Sequence, residues 1–334
     1  MKANDSDYLP IITGLRGIAA LMICIFHFTH FSSGDFILFD PHSLLVQWGK
    51  IGTEGVYLFF IISGFIIPWS LSKYNFAWKD TGRFLIKRSI RIEVPYFVSI
   101  LLILVVGAVF AWYNNQNFEI HPYQLFSHLA YLVPFTGQDW YNPIYWTLCI
   151  EFQFYVFVAL YFPFLMRQHN SNHTSLMLVL IGSCFIPDDR LLFQFLPYFI
   201  VGICCFLLQK EKLTVPVFLT YITLALGIIL FRDGTLHGLT TMVACLSITF
   251  LNHQLGVFNF LGKISFSLYL THGVFGGNFL YFSGPLIINF WGRLCLVCGA
   301  ILISITCAWV MYRLIEQPAL RWSKRFAIRN HDSR

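Results

Sequence analysis

The run Leu9–Phe31 is built of Ile, Leu, Ala, Met and Phe, yet it also carries Arg16 and His27. Roughly 20 apolar residues cross the hydrocarbon core as a helix. Ionisable side chains inside such a helix are expensive in lipid, so they face a polar interior and mark a functional path. Arg16 and His27 stand eleven positions apart. At about 100° and 1.5 Å per residue, His27 returns to within about 20° of Arg16 and sits about 16 Å further along. One helix thus aims an always-charged guanidinium and a titratable imidazole at the same interior.

Comparable apolar runs recur along the 334 residues, of which 57% are hydrophobic and 11% charged. That balance excludes an ordinary soluble protein. It predicts an all-α integral membrane protein, a polytopic bundle of about ten transmembrane helices. They are placed near 10–30, 50–71, 94–112, 144–166, 174–187, 191–208, 214–231, 236–252, 264–284 and 290–315. With both termini cytoplasmic, the inner segments hold Lys73, Lys79, Arg83, Lys87, Arg88, Arg91, Arg167, Lys210, Lys212, Lys263 and the basic tail. The outer side keeps only Lys50, Arg190, Arg232 and Arg293, an asymmetry that follows the positive-inside rule. The first run lacks a small-residue cleavage site and is read as a mature helix. The nine cysteines fall inside apolar runs without metal-ligand spacing, which predicts buried packing residues and no metal site. No nucleic-acid partner is expected.

Several polar groups stand out against this background. Gly55 and Gly64 of the second helix permit close helix approach. Glu54 lies at the outer membrane edge, where it is either solvated or functional. The inner segment Arg83–Tyr96 places Arg83, Lys87, Arg88 and Arg91 at helical spacing, with Glu93 among them. Such a cluster holds topology and touches anionic lipid, or it forms a site for a phosphorylated cytosolic ligand, because guanidinium forks match phosphate oxygens. Glu151 is a carboxylate within an apolar helix and is expected at the depth of His27, which predicts an imidazole–carboxylate pair; pairing with Arg16 or a Tyr hydroxyl is the other reading. His272 is a second intramembrane imidazole, read as a hydrogen-bonded core residue or a functional one. Pro318 is expected to stop the last helix, after Glu316-Gln317.

Taken in order, these pieces resemble the membrane acyltransferase 3 family. Gly14-Leu15-Arg16-Gly17 followed by His27 is similar to its Arg-x10-His signature, and Gly52–Phe65 to its second-helix motif. Arg83–Tyr96 is similar to its basic cluster, although Pro95 and Tyr96 are adjacent here. Trp146-Thr147-Leu148 with Glu151 and Tyr155 resembles its Trp-Ser-Leu-x-x-Glu stretch, with Thr for Ser. Ser265–His272 and Glu316-Gln317-Pro318 resemble its late landmarks. The likeness covers nearly the whole chain: residues 1–320 as the transmembrane domain and 321–334 as a short basic tail.

The resemblance implies an O-acyltransferase of the stand-alone type, with acyl-CoA as co-substrate, no tightly bound cofactor, and a glycan or lipid-linked saccharide as acceptor at a bacterial cytoplasmic membrane. It implies acyl-CoA binding by Arg16, Arg83, Lys87, Arg88, Arg91 and Tyr96, with the phosphates on Arg83, Lys87, Arg88 and Arg91. It also implies a catalytic set of His27 as general base, Glu151 orienting it, and Arg16 as a CoA-binding or channel-neutralising cation. Glu54, Trp146, Tyr155 and His272 are further candidates. The rival class is a proton-coupled transporter or flippase of a polar lipid-linked substrate, with His27 and Glu151 as a proton relay.

Overall fold

A computed structural model describes residues 10–326 except 75, 167–178, 180, 184, 185, 187 and 252. The expected span at 174–187 falls largely outside the described residues, as do Arg167, Cys184 and the tail beyond 326. Helices dominate: α1 (Pro10–Thr29), α2 (Leu44–Gly49), α3 (Glu54–Leu71), α4 (Thr81–Tyr113), α5 (Pro122–Leu129), α6 (Val133–Thr136) and α7 (Trp146–Leu165), then α8 (Leu192–Gln209), α9 (Val215–Arg232), α10 (Thr235–Phe250), α11 (Val257–His272), α12 (Asn278–Ser283), α13 (Phe290–Met311) and α14 (Gln317–Ser323). A two-stranded hairpin pairs Ser32–Ser33 with Phe36–Ile37.

Among the described residues, seven helical runs are long and apolar enough to cross a membrane, and α10 is a shorter apolar helix. The protein is therefore an all-α, multi-pass membrane protein. Three boundaries differ from expectation. α4 begins at Thr81 rather than near 94, so the basic cluster lies within the helix. α11 starts at Val257 and passes through a π turn, Gly273–Gly277, into α12. Pro318 does not stop the last helix. The chain passes through a second π turn, Tyr312–Glu316, and Pro318 falls in the first turn of α14, where its missing N–H costs nothing. Helix α14 thus runs across the 320/321 boundary.

Glycine sets how the site-bearing helices meet. A Cβ on Gly17 would run into the backbone of Phe258, and one on Gly262 into that of Thr13, so α1 and α11 lie backbone to backbone. Gly64 and Gly202 do the same for α3 and α8, as small residues do in bundles. The α1–α11 pair runs parallel, with Thr13 beside Gly262 and His27 beside His272. Both helices therefore carry their histidines toward the same end.

The end where α1 finishes is capped by structured connections. Arg293 donates to the Leu38 carbonyl at 2.6 Å and to the Ile287 carbonyl at 2.8 Å. His128 on α5 is fully buried; its Nδ1 donates to the Gln124 carbonyl and its Nε2 accepts from the Tyr141 amide at 3.0 Å. That arrangement fixes a neutral imidazole, and burial pushes its pKa below the usual 6.5. The cysteine expectation holds for Cys24, Cys149, Cys204, Cys205 and Cys245, whereas Cys295 and Cys298 are exposed on the outward face of α13.

Candidate functional site

Two spaces lie along the inward faces of α1, α3, α4, α7 and α11. One, with about 830 Å³ not filled by atoms including its open mouth, lies toward the end where α1 begins. Its charged lining comprises Arg16 from α1, Arg88 and Arg91 from α4, Glu151 from α7 and Glu316 from the second π turn, with Tyr155 beside them. Charged side chains within a bundle face an interior cavity for the reason given above: lipid offers them nothing.

The charges in this cavity are not paired with one another. Glu151 accepts from the Ser63 hydroxyl at 3.3 Å and from Tyr155. Glu316 accepts from the Ser267 hydroxyl at 2.6 Å. Among the described residues, Arg16, Arg88 and Arg91 make no ion pair within 4.0 Å. Arg88 is buried and lies 5.6 Å from the rings of Phe84 and Tyr155, a cation–π setting that does not cancel its charge. Three guanidiniums against two carboxylates, none of them directly paired, leave the cavity with one excess positive charge and guanidinium forks free to meet an anion.

The second space, about 710 Å³ by the same measure, lies toward the other end of α1. It is lined by Ile23, Phe26, His27, Thr53, Val56, Tyr57, Pro143, Ile144, Trp146 and Tyr269. The His27 ring is half-buried and lies 5.0 Å from the ring of His272. His272 is fully buried, and its Nδ1 is 2.8 Å from the Tyr269 carbonyl and 3.2 Å from that of Leu268. Since carbonyls only accept, Nδ1 carries the proton and the other ring nitrogen of neutral His272 is left as an acceptor. His272 is hydrogen-bonded in the core, and its ring also adjoins that of His27.

Arg16, Arg88, Arg91, Glu151 and Tyr155 thus share one space; His27 and Trp146 line the other. The expected His27–Glu151 pair does not form. Glu151 lies one turn below Thr147 on α7, on the arginine side, and its Oε1 accepts from both Ser63 and Tyr155. Arg83 is exposed and Lys87 half-buried, with its ammonium 5.4 Å from the Tyr74 ring; both precede the cavity-lining turns of α4. Tyr96 lies away from the cationic cluster. It is fully buried, donates to the His128 carbonyl at 3.2 Å and stacks on Tyr131, because it sits more than a turn beyond Arg91 on α4.

Glu54 is not solvated. It is completely buried against α10, with His237 Nδ1 3.6 Å from its carboxylate. Glu93 does not pair with Arg88 or Arg91; it lines a small adjoining space with Arg88 and Tyr131. Glu316, which stands in the sequence only as part of a late landmark, joins the charged lining of the arginine cavity. The signal for it was present: a carboxylate directly after a long apolar run.

The sequence matches the acyltransferase 3 family, described as an acyltransferase domain, over residues 9–313. It is 24% identical over 300 residues to a protein of Acidianus two-tailed virus named a putative acetyltransferase, covering 80% of this chain and 83% of that protein. It is 29% identical over 171 residues to a Staphylococcus aureus (strain COL) protein named a putative O-acetyltransferase, covering 47% of this chain. The matched stretch spans only 25% of the staphylococcal protein. No solved structure matches the chain.

Proposed function

The chain belongs to the acyltransferase 3 family and is a membrane acyltransferase; on that premise we propose that it moves an acyl group, acetyl in the first instance, from acyl-CoA to a hydroxyl of a cell-surface glycan or lipid-linked saccharide. The observation that carries this reading is the pairing of spaces: one holds three arginines that make no ion pair among the described residues, with Glu151 and Glu316 beside them, and the next holds His27. CoA is a polyanion with a neutral arm. Its phosphates suit Arg88, Arg91 and Arg16, with Arg83 and Lys87 at the approach. The arm, on the order of 15–20 Å long, matches the rise of about 16 Å from Arg16 to His27 along α1.

In the proposed reaction the acceptor oxygen attacks the thioester carbonyl while His27 takes the hydroxyl proton. The C–S bond then breaks, and the imidazolium returns that proton to the departing thiolate, giving ester and free CoA. General-base assistance of this kind contributes about 10²–10⁴-fold. His272 beside the ring holds its orientation. Glu151 acts on the donor side, where it offsets the arginines rather than serving the imidazole. The membrane in question is the cytoplasmic membrane of a bacterial cell, with both termini on the cytosolic side.

The test uses purified protein with labelled acetyl-CoA and a membrane glycan fraction. His27→Ala is expected to keep acetyl-CoA binding and lose transfer by about 10²-fold or more; full transfer by His27→Ala would remove the mechanism. A flippase would neither bind nor turn over acetyl-CoA.

A further inference from the structure

The two spaces have a common wall. Val56 and Tyr269 line both of them; Thr147 faces the arginine side, and Ile144 the His27 side. The Tyr269 hydroxyl lies 2.7 Å from the Thr147 hydroxyl and 2.8 Å from the Ile144 carbonyl, to which Thr147 is also bonded at 3.0 Å. These three groups span 122 and 125 residues of sequence and join the end of α11 to the start of α7. The ring itself lies between Phe59, which lines the arginine space, and His272, which adjoins His27. Resting on the donor and acceptor reading above, we propose that Tyr269 is a positioning residue that partitions the acyl-CoA chamber from the acceptor chamber, latched by Thr147 and the Ile144 carbonyl, and that the thioester reaches His27 only when this latch opens.

The local structure suits such a device. Three residues after Tyr269, α11 gives way to the π turn Gly273–Gly277. A Cβ on Gly277 would meet nothing within 4 Å, and one on Gly273 only the Asn142 amide at 3.6 Å. A Cβ on Gly276, by contrast, would run into Phe28 and Ser304, so the π turn is packed on one side and open on the other; π turns recur at functional sites. The latch holds few hydrogens: two hydroxyls and one carbonyl make three contacts with only two protons between them. Closed, the wall keeps water and hydroxyls on the His27 side from a thioester waiting on the arginine side, so acyl-CoA is not spent on hydrolysis. Open, it admits the arm to His27.

The experiment measures the wall before it measures chemistry. Ile66→Cys places a thiol in the arginine chamber, since Ile66 lines it. A charged, membrane-impermeant maleimide is then applied to sealed vesicles from the face bearing α5, over the background of the nine native cysteines. With Tyr269 intact, labelling from that face is slow. Tyr269→Phe keeps the ring but removes its hydroxyl; Thr147 retains its bond to the Ile144 carbonyl, so the net loss is one neutral hydrogen bond, which raises the open population by about 2- to 13-fold. Labelling accelerates accordingly, and Tyr269→Ala labels at least as fast. Thr147→Val, nearly isosteric, accelerates it less, because Tyr269 keeps the Ile144 carbonyl; it also serves if Tyr269→Ala does not fold.

The chemical readout is acetyl-CoA hydrolysis without acceptor, which rises relative to transfer in Tyr269→Phe; a purely structural role would lower both together. Fast labelling with Tyr269 intact, or equal rates in all variants, overturns the partition. Accelerated labelling with no acetyl-CoA turnover in any protein, the parent included, leaves the partition standing and rejects the donor assignment instead.

Discussion

Replacing Arg91 with Gln perturbs the charged cavity with opposite signs in the free and liganded protein. Arg91 shares the cavity with Arg16 and Arg88, and its charge bears on both. Arg88 and Arg91 are three positions apart on α4, hence on one face. At about 6–8 Å between guanidiniums and an effective dielectric of about 20, their repulsion is about 2–3 kcal/mol. Arg91 is half-buried, so water in the cavity screens part of this, and its attraction to Glu316 offsets more, so a relief of at most about 1 kcal/mol is expected when the charge is removed. The unliganded Arg91→Gln protein should therefore melt up to a few degrees higher in detergent. Toward acyl-CoA the sign reverses. One charge-assisted hydrogen bond to a phosphate contributes about 1.5–3 kcal/mol, so the affinity falls about 10- to 150-fold. Thermal melts with and without a non-hydrolysable acyl-CoA analogue, together with KM for acetyl-CoA, read both effects. If Arg91→Gln melts lower without ligand, Arg91 is held by a stabilising partner and the cavity is not poised for an anion. An unchanged acetyl-CoA KM would refute the other half of the reasoning.

Other consequences follow from single contacts. Gly262→Ala drives a methyl into the Thr13 backbone and should destabilise by about 1–3 kcal/mol, read as a lower melting temperature; transfer should fall too, since the α1–α11 pair carries Arg16, His27, Tyr269 and His272. Ser267→Ala frees a Glu316 oxygen to face Arg16 and should raise KM for acetyl-CoA more than it lowers kcat in steady-state assays. His128 gives a pH effect. Its folded pKa lies below the ordinary 6.5, so its contribution is complete above 6.5 and shrinks as pH falls toward the folded value, because the unfolded chain takes up the proton first. Relative to wild type, His128→Asn should be less stable at about pH 7.5 and lose less stability on going to about pH 5.5.

Helical periodicity and the cost of charge in lipid decided a good deal before any fold was known. They turned Arg16 and His27 inward on α1, put Arg88 and Arg91 on one face of α4, and marked Glu151 as a residue that needed a partner. The order of these motifs identified the family. What periodicity cannot supply is the rotation and neighbour of each helix, because those depend on where the close glycine contacts of α1 with α11 and α3 with α8 lock the bundle. That packing sends Glu151 to Ser63 and Tyr155 instead of His27, moves Tyr96 into the aromatic cap, and buries Glu54 against His237. It also brings Tyr269 against Thr147 and Ile144 across more than a hundred residues of chain. A residue's depth and facing direction are local properties of its own helix. Its partner is a property of the bundle, and only the tertiary structure decides it.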